Sequence, residues 1–336
     1  MALNLVVVYN PIAGPEDVHD YVNQIVNFWQ TKGWRVETRA TEHPGHAASI
    51  AAEIAGSDAD MVLVMGGDGT VGQVSTGLAG TNIVLAIIPI GTANVFAKLL
   101  HLTPTVALHQ PDPIKVSEDI RAGNIHRIDL GKAFSTKYSE SGYHFISWAG
   151  LGLSGHVIEQ IEPRPKWIKQ LTGRRFGWIS YILLGVPRAV RYPGIRAQVR
   201  VDSQEINGTF VIALVTNSRL YGGGFVQLSQ TGHLDDGKLD VWLFRGKVFR
   251  DTLGHVARLL TARHMMSAST IHLRGRRVLI RPTDEMQVEL DGEPAGATPF
   301  YAHIDPLALD LAAPNSAPSD LFIHSGIPFT QWEVSR

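Results

Sequence analysis

The sequence predicts an N-terminal α/β domain, a doubly wound parallel sheet, followed by a β-rich, sandwich-like C-terminal domain. Three observations lead there. Apolar strand patterns alternate with helix patterns over the first hundred residues, as in a parallel sheet covered by helices. After about Asn124, short strand patterns follow one another with few helices between them. The length, 336 residues, exceeds what one ordinary core supports. The expected domains are residues 1–124 and 125–312, with 313–336 as a loop-like tail.

The elements follow in order. Leu3–Tyr9 is an apolar first strand that runs into Asn10-Pro11, so it reads as a strand rather than a signal peptide. A helix near Glu16–Thr31 carries apolar Val18, Tyr21, Val22, Ile25, Val26 and Trp29. Trp34–Ala40 is a second strand and Ala47–Ala55 a helix of small residues. Asp60–Met65 is a buried third strand, followed by a helix over Gly72–Leu78. Ile83–Pro89 is a fourth strand, with a helix over Thr92–Leu100. Strands of the second domain are expected at Ile125–Phe134, Tyr143–Trp148, Arg196–Val201, Phe210–Thr216, Leu239–Phe244, Thr270–Leu273, Arg277–Ile280 and Gln287–Leu290.

Composition narrows the function classes. A net charge of -1 gives no general attraction to nucleic acid or to an anionic membrane, so any such contact must be local. Cysteine is absent, which excludes disulfides, thiolate zinc and a cysteine nucleophile, and fits a reducing cytosol. No apolar run approaches the ~20 residues of a membrane span.

Chemistry concentrates at Gly66-Gly67-Asp68-Gly69-Thr70, where the third strand ends. Glycines let bare backbone N–H groups approach phosphate oxygens. The helix that follows points its N-terminus at the same anion. Asp68 offers an oxygen to a phosphate-bridging Mg²⁺. The loops Asn10–Gly14 and Pro89–Asn94 fall at the same carboxyl edge of the sheet, where open α/β sheets bind ligands.

Together, Asn10-Pro11-Ile12-Ala13-Gly14, Gly66–Thr70, Pro89-Ile90-Gly91-Thr92-Ala93-Asn94, Leu234-Asp235-Asp236-Gly237 and Asp291-Gly292-Glu293 resemble the diacylglycerol-kinase catalytic family, in order and spacing. The chain is most similar to its soluble bacterial lipid kinases, of diacylglycerol or sphingosine kinase type, over residues 3–312. The resemblance implies ATP as donor, Mg²⁺, and a lipid hydroxyl as acceptor, with the active site between the two domains. It also implies that the end of the chain packs back on the first. It places Asn10, Thr41, Gly66, Gly67, Asp68, Gly69, Thr70, Val71, Gly72 and Thr92 at the nucleotide, with Asp68 organising phosphates and metal. Asp291 and Glu293 would supply the base, and Asp236 with the carbonyls of His233 and Lys238 a structural Mg²⁺. The implied setting is cytoplasmic and peripheral to a membrane, with a lipid substrate and no nucleic acid; a homodimer is compatible with it.

Residues alone read Asp291-Gly292 and Asp235-Asp236-Gly237 equally as ordinary turns. The sequence departs from the family at Gly72-Gln73, where an Asn-Glu pair is usual, and at Val95, where Asp is usual. Two carboxylates are thereby lost, while Asp68, Asp129, Asp291 and Glu293 remain. Two other readings therefore stand: an NAD-kinase-like enzyme acting on a soluble metabolite, and a catalytically silent nucleotide- or lipid-binding relative.

Two weaker signals remain. Gly150-Leu151-Gly152-Leu153-Ser154-Gly155 fits G-x-G-x-x-G but has no acidic partner about 20 residues on, so it reads as a Gly-rich turn. Pro165–Tyr192 mixes Lys166, Lys169, Arg174 and Arg175 with Trp167, Phe176 and Trp178, the composition of an interfacial lipid-docking element or of a buried helix pair with a basic rim.

Overall fold

The run Met61–Gly66 is buried along its whole length and becomes the centre of the first sheet. In the computed structural model this strand, β3, lies between β1 (Asn4–Tyr9) and β4 (Val84–Pro89), both parallel to it. β2 (Arg35–Ala40) pairs outside β1, and its sequence Arg-Val-Glu-Thr-Arg-Ala is that of a charged, exposed edge. The structure describes residues 2–13, 18–103, 111–154, 192, 194–247 and 249–336. It divides into two compact units: Met1–Leu130 with His233–Asp236 and Pro306–Arg336, and Gly131–Gly232 with Gly237–Asp305.

In the first unit, α1 (Val18–Thr31) buries Val18, Val22, Ile25 and Trp29 on one stripe and packs on α5 (Pro113–Ala122). Asp112 caps α5, accepting from the N–H groups of Ile114 (2.9 Å) and Lys115 (3.4 Å), with Pro113 in the first turn. α2 (His46–Ala55) packs on α3 (Asp68–Leu78). A Cβ on Gly77 would meet the Ala51 side chain and backbone, so small residues set this close helix pair. α4 (Val95–Leu99) is a short helix after β4.

The second unit is built on antiparallel strands. β7 (Trp148–Gly152) lies between β15 (Gln287–Leu290) and β9 (Gln204–Thr216), and β16 (Glu293–Ala297) flanks β15. The first half of β9 pairs with β8 (Ile195–Val201), and its second half pairs with β12 (Leu239–Arg245) as well as β7. β13 (Thr270–Gly275) flanks β12, and β14 (Arg277–Pro282) pairs with β8 and with the start of β17 (Phe300–Ala313). Alternating burial along β8 places Val199 and Val201 in a core with Phe145, Phe210, Phe300 and Val241. This is the β-rich, sandwich-like half.

Residues 306–336 belong to the first unit, and the last of them are not a loop. Asp310 and Leu311 of β17 add a fifth parallel strand beside Val84 and Leu85 of β4. β18 (Ile327–Pro328) pairs with the start of β5 (Asn124–Phe134), and α7 (Phe329–Ser335) follows. Trp332 stacks on Trp34 with centroids 6.1 Å apart, and Phe329 lies 5.9 Å from Trp29. Glu333 accepts from the Trp34 indole and from Arg121, both at 2.7 Å. The Pro314–Ser319 stretch hid this helix, because its apolar residues only acquire a partner when α1 and α5 are in place.

Trp332 is 5% exposed. Trp332→Ala should cost about 3–5 kcal/mol in urea denaturation, as for a buried aromatic. A loss below about 1 kcal/mol would show that α7 is not part of the core.

Candidate active site

The register brings the first unit's predicted residues to one edge. Tyr9 pairs with Ala40 and Met65, and Gly66 with Pro89, so Asn10, Thr41, Gly66–Gly69 and the loop bearing Thr92 follow the carboxyl ends of four parallel strands. Asn10 turns inward on its own loop, its Oδ1 accepting from Ile12 N at 3.1 Å. Thr41 N donates to Tyr9 O, and Thr92 is exposed.

Glycine is required where the loops meet. A Cβ on Gly91 would run into the Gly67 backbone, and one on Gly66 into the Thr70 side chain. α3 begins at Asp68, earlier than the Gly72 that periodicity suggests. Gly67, extended at its N-cap, has no side chain to cap it. The first N–H groups of a helix have no intrahelical acceptor, so this end can bind anions. Thr70, Val71 and Gly72 lie deeper: Val71 N donates to Gly67 O, and Thr70 and Val71 are only 8% and 3% exposed. They support the turn from beneath.

Asp68 reaches across to α4, where its Oδ1 accepts from Phe96 N at 3.2 Å. Asn94, at the N-cap of α4, makes no cap bond; its backbone is left-handed and its amide donates to Gly91 O at 2.8 Å. Asp68 therefore does the capping from a distance of 28 residues. Burial pushes its carboxyl above the ordinary range, against the N–H groups of Phe96 and Val95 and the nearby Lys98. Burial also lowers the Lys98 ammonium, against the attraction of Asp68. Lys98 is a site residue that the sequence reading missed, because one lysine in an apolar helix carries no motif.

In the second unit, Asp291 and Gly292 (φ 48° and 86°) form a two-residue hairpin closed by the pair Leu290–Glu293. The turn that the residues alone suggest is present here. The Asp291 carboxylate accepts from the N–H groups of Ile146, Ser147 and Trp148, each at 2.9 Å, and so clasps the start of β7. Glu293 is exposed at the start of β16.

Glu289, also missed, lies 1% exposed on β15 opposite Gly150. A Cβ at Gly150 would collide with its carboxyl and with Ser154 Oγ. Neither carboxyl oxygen of Glu289 meets hydrogen-bond geometry, and the same holds for Ser154 Oγ and the Trp148 indole nitrogen close to it. Burial pushes Glu289 up to about 7, against the nearby Ser154 hydroxyl and Trp148 indole and with the smaller help of the Asp291 charge. The Gly150–Gly155 motif is thus explained as far as Ser154: Gly150 and Gly152 belong to a buried strand rather than to a turn. Gly155 lies outside the described residues, as do Gly14, Glu16 and all of the Pro165–Tyr192 segment but Tyr192.

The predicted structural-metal residues fall in different settings. Asp236 is nearly buried, with His233 Nδ1 at 3.6 Å from its Oδ2. Lys238 is exposed and belongs to the second unit. Among the described residues, no three His, Cys, Asp or Glu side chains gather as a metal cluster. Neighbouring Asp235 is a latch: its oxygens accept from the N–H groups of Ile323 (2.7 Å) and His324 (2.8 Å). Asp129, 1% exposed, holds Leu307 N at 2.7 Å.

Two stability experiments follow. The folded Glu289 keeps its proton up to about pH 7, whereas the unfolded group loses it near 4.5, so its contribution falls as pH rises between these values. Glu289→Gln should therefore match the parent near pH 4 and exceed it by up to about 3 kcal/mol near pH 8. A pH-independent difference would refute the shift. Asp291→Asn tolerates the positive φ but cannot accept all three N–H bonds, so it should cost about 1–3 kcal/mol. An unchanged midpoint in urea would remove the clasp.

Comparison with known proteins agrees with this architecture. The diacylglycerol kinase catalytic domain matches residues 4–133, and the YegS C-terminal NAD kinase beta sandwich-like domain matches residues 164–313. A diacylglycerol kinase of Bacillus subtilis (strain 168) is 27% identical over 305 residues, 89% of this chain and 94% of its own. One from Staphylococcus carnosus (strain TM300) is 26% identical, covering 87% and 89%. A crystal structure from Bacillus anthracis strain Sterne shares the fold with a TM-score of 0.73 at 23% identity, over 94% of this chain and 98% of that one. Another, of a diacylglycerol kinase from the same strain, gives 0.65 at 22% identity, with the same coverage. The chain thus carries a diacylglycerol kinase catalytic domain followed by a YegS-type, sandwich-like C-terminal domain.

Proposed function

We propose that the protein is an ATP- and Mg²⁺-dependent lipid kinase that transfers the γ-phosphate to a lipid hydroxyl, diacylglycerol or a close relative. The observation that carries this reading is the uncapped N-terminus of α3, opened by Gly66 and Gly67 and bearing Asp68 in its first turn. The donor set fits the groups it would hold. Backbone N–H groups at a helix N-terminus suit phosphate oxygens, and a carboxylate suits Mg²⁺. Bound ATP supplies the phosphoryl group, and Mg²⁺ the charge that neutralises it.

The chain's own part is positioning and proton removal. The α3 N-terminus orients phosphate oxygens, Asp68 holds the metal side, and Lys98 offsets the buried carboxylate charge. Asn10, Thr41 and Thr92 border the nucleotide in this reading. Asp291 and Glu293 supply the base that takes the hydroxyl proton, Asp291 being held in place by its three backbone bonds and Glu293 being exposed. Asp236, with carbonyls of His233 and Lys238, would hold a second, structural Mg²⁺. The protein would work in the cytoplasm at a membrane surface.

One observation favours a second reading. Val95, where the family usually carries Asp, is 1% exposed in the core, so no side chain there replaces the lost carboxylate. A silent nucleotide- or lipid-binding relative would have this feature.

Transfer of label from γ-labelled ATP into a total lipid extract, in mixed micelles with Mg²⁺, tests both. The lipid kinase gives a chloroform-soluble product, and Asp68→Asn lowers its rate by about 100-fold or more. Asn retains an acceptor for Phe96 N, so its melting temperature should stay near the parent's. ATP binding without labelled lipid would overturn the proposal in favour of the silent relative or a soluble acceptor.

A further inference from the structure

A helix of the second unit pairs one anchored face with one bare apolar face. α6 (Phe249–Leu260) buries Thr252 and His255; the His255 ring meets Phe244 edge-on at 5.2 Å, and its Nε2 lies 2.7 Å from Arg245 O. Leu253 and Val256, about one turn apart on the adjoining face, are 49% and 45% exposed. The short 3-10 turn His264–Met266 packs against α6, with Arg263 N donating to Arg258 O at 2.8 Å. Its His264 is buried beside Trp242, which leaves Met265 and Met266 outward, 59% and 87% exposed.

The charge around this face is one-sided. Residues 247–266 contain Lys247, Arg250, Arg258 and Arg263 against the single carboxylate Asp251, whereas the whole chain carries -1. Lys247, Arg250 and Arg263 are exposed. Exposed apolar side chains and exposed cations in one short segment are the chemistry of an element lying in the headgroup region of an anionic bilayer. Unbranched, flexible Met side chains suit a fluid acyl boundary. A second copy of the chain would bring the same positive rim to a symmetric contact, and four apolar side chains fall short of the ~800 Å² per partner of a stable interface.

We propose that α6 and the His264–Met266 turn form a membrane-docking face. Leu253, Val256, Met265 and Met266 enter the headgroup–acyl boundary of an anionic bilayer, and Lys247, Arg250 and Arg263 meet its lipid phosphates. The proposal extends the lipid-kinase reading by saying how the enzyme reaches an acceptor held in a membrane.

The test is cosedimentation of the full chain with vesicles of phosphatidylcholine alone and of phosphatidylcholine mixed with phosphatidylglycerol. The parent should bind the mixed vesicles and release with salt. Arg250→Glu/Arg263→Glu should lose at least about five-fold in binding per charge removed, and Met265→Ser/Met266→Ser about ten-fold, at unchanged melting temperature. Activity on vesicle-borne acceptor should fall in step, while activity on a short-chain, monomeric diacylglycerol stays at the parent level. Parent-like vesicle binding by both variants would overturn the proposal. So would a dimer in sedimentation that the Met variant abolishes, which would assign the face to a second copy. Failure of the lipid-kinase reading would appear separately, as no transfer to either acceptor, while vesicle binding would still decide the docking face.

Discussion

The first unit depends on a close backbone approach. Gly67 and Gly91 bring the loops after β3 and β4 so near that a single Cβ on Gly91 would separate them. With the loops touching, Asp68 can reach the Phe96 N–H and cap a helix whose own N-cap residue makes no cap bond. The same contact gathers the α3 N-terminus, the Asp68 carboxylate and Lys98 into one small polar region above a sheet core that is otherwise apolar. Burial raises the Asp68 carboxyl and lowers the Lys98 ammonium, so each charge is held at some cost to the fold. Perturbed carboxyl and ammonium groups of this kind cluster at functional sites.

The second unit solves a related problem with backbone donors. Asp291 is buried, yet its oxygens receive three N–H groups from the start of β7 and the residues before it, which compensates the loss of water. Two residues earlier on the chain, Glu289 is pushed toward neutrality by burial, which the nearby Ser154 hydroxyl and Trp148 indole only partly offset. Gly150 exists to make room for that carboxyl. One hairpin thus carries three acids in three environments: one buried among side chains, one clasped by backbone and one exposed at Glu293. Environment, not residue type, separates their roles.

The amino-acid sequence by itself determined the two-part architecture. The apolar runs of β1, β3 and β4 and the strand-only pattern after Asn124 are local signals of burial. It also marked the Gly66–Thr70 turn, because strand, glycines and helix are contiguous there. Only the tertiary structure decided the rest, for a physical reason: the deciding contacts join residues far apart in the chain. Asp68 caps Phe96 across 28 residues, Asp291 holds Ser147 across 144, and Glu333 binds Trp34 across 299. A periodicity or a motif reads neighbours along the chain. It cannot show that Lys98 faces Asp68, that Glu289 fills the space above Gly150, or that the last helix completes the first core.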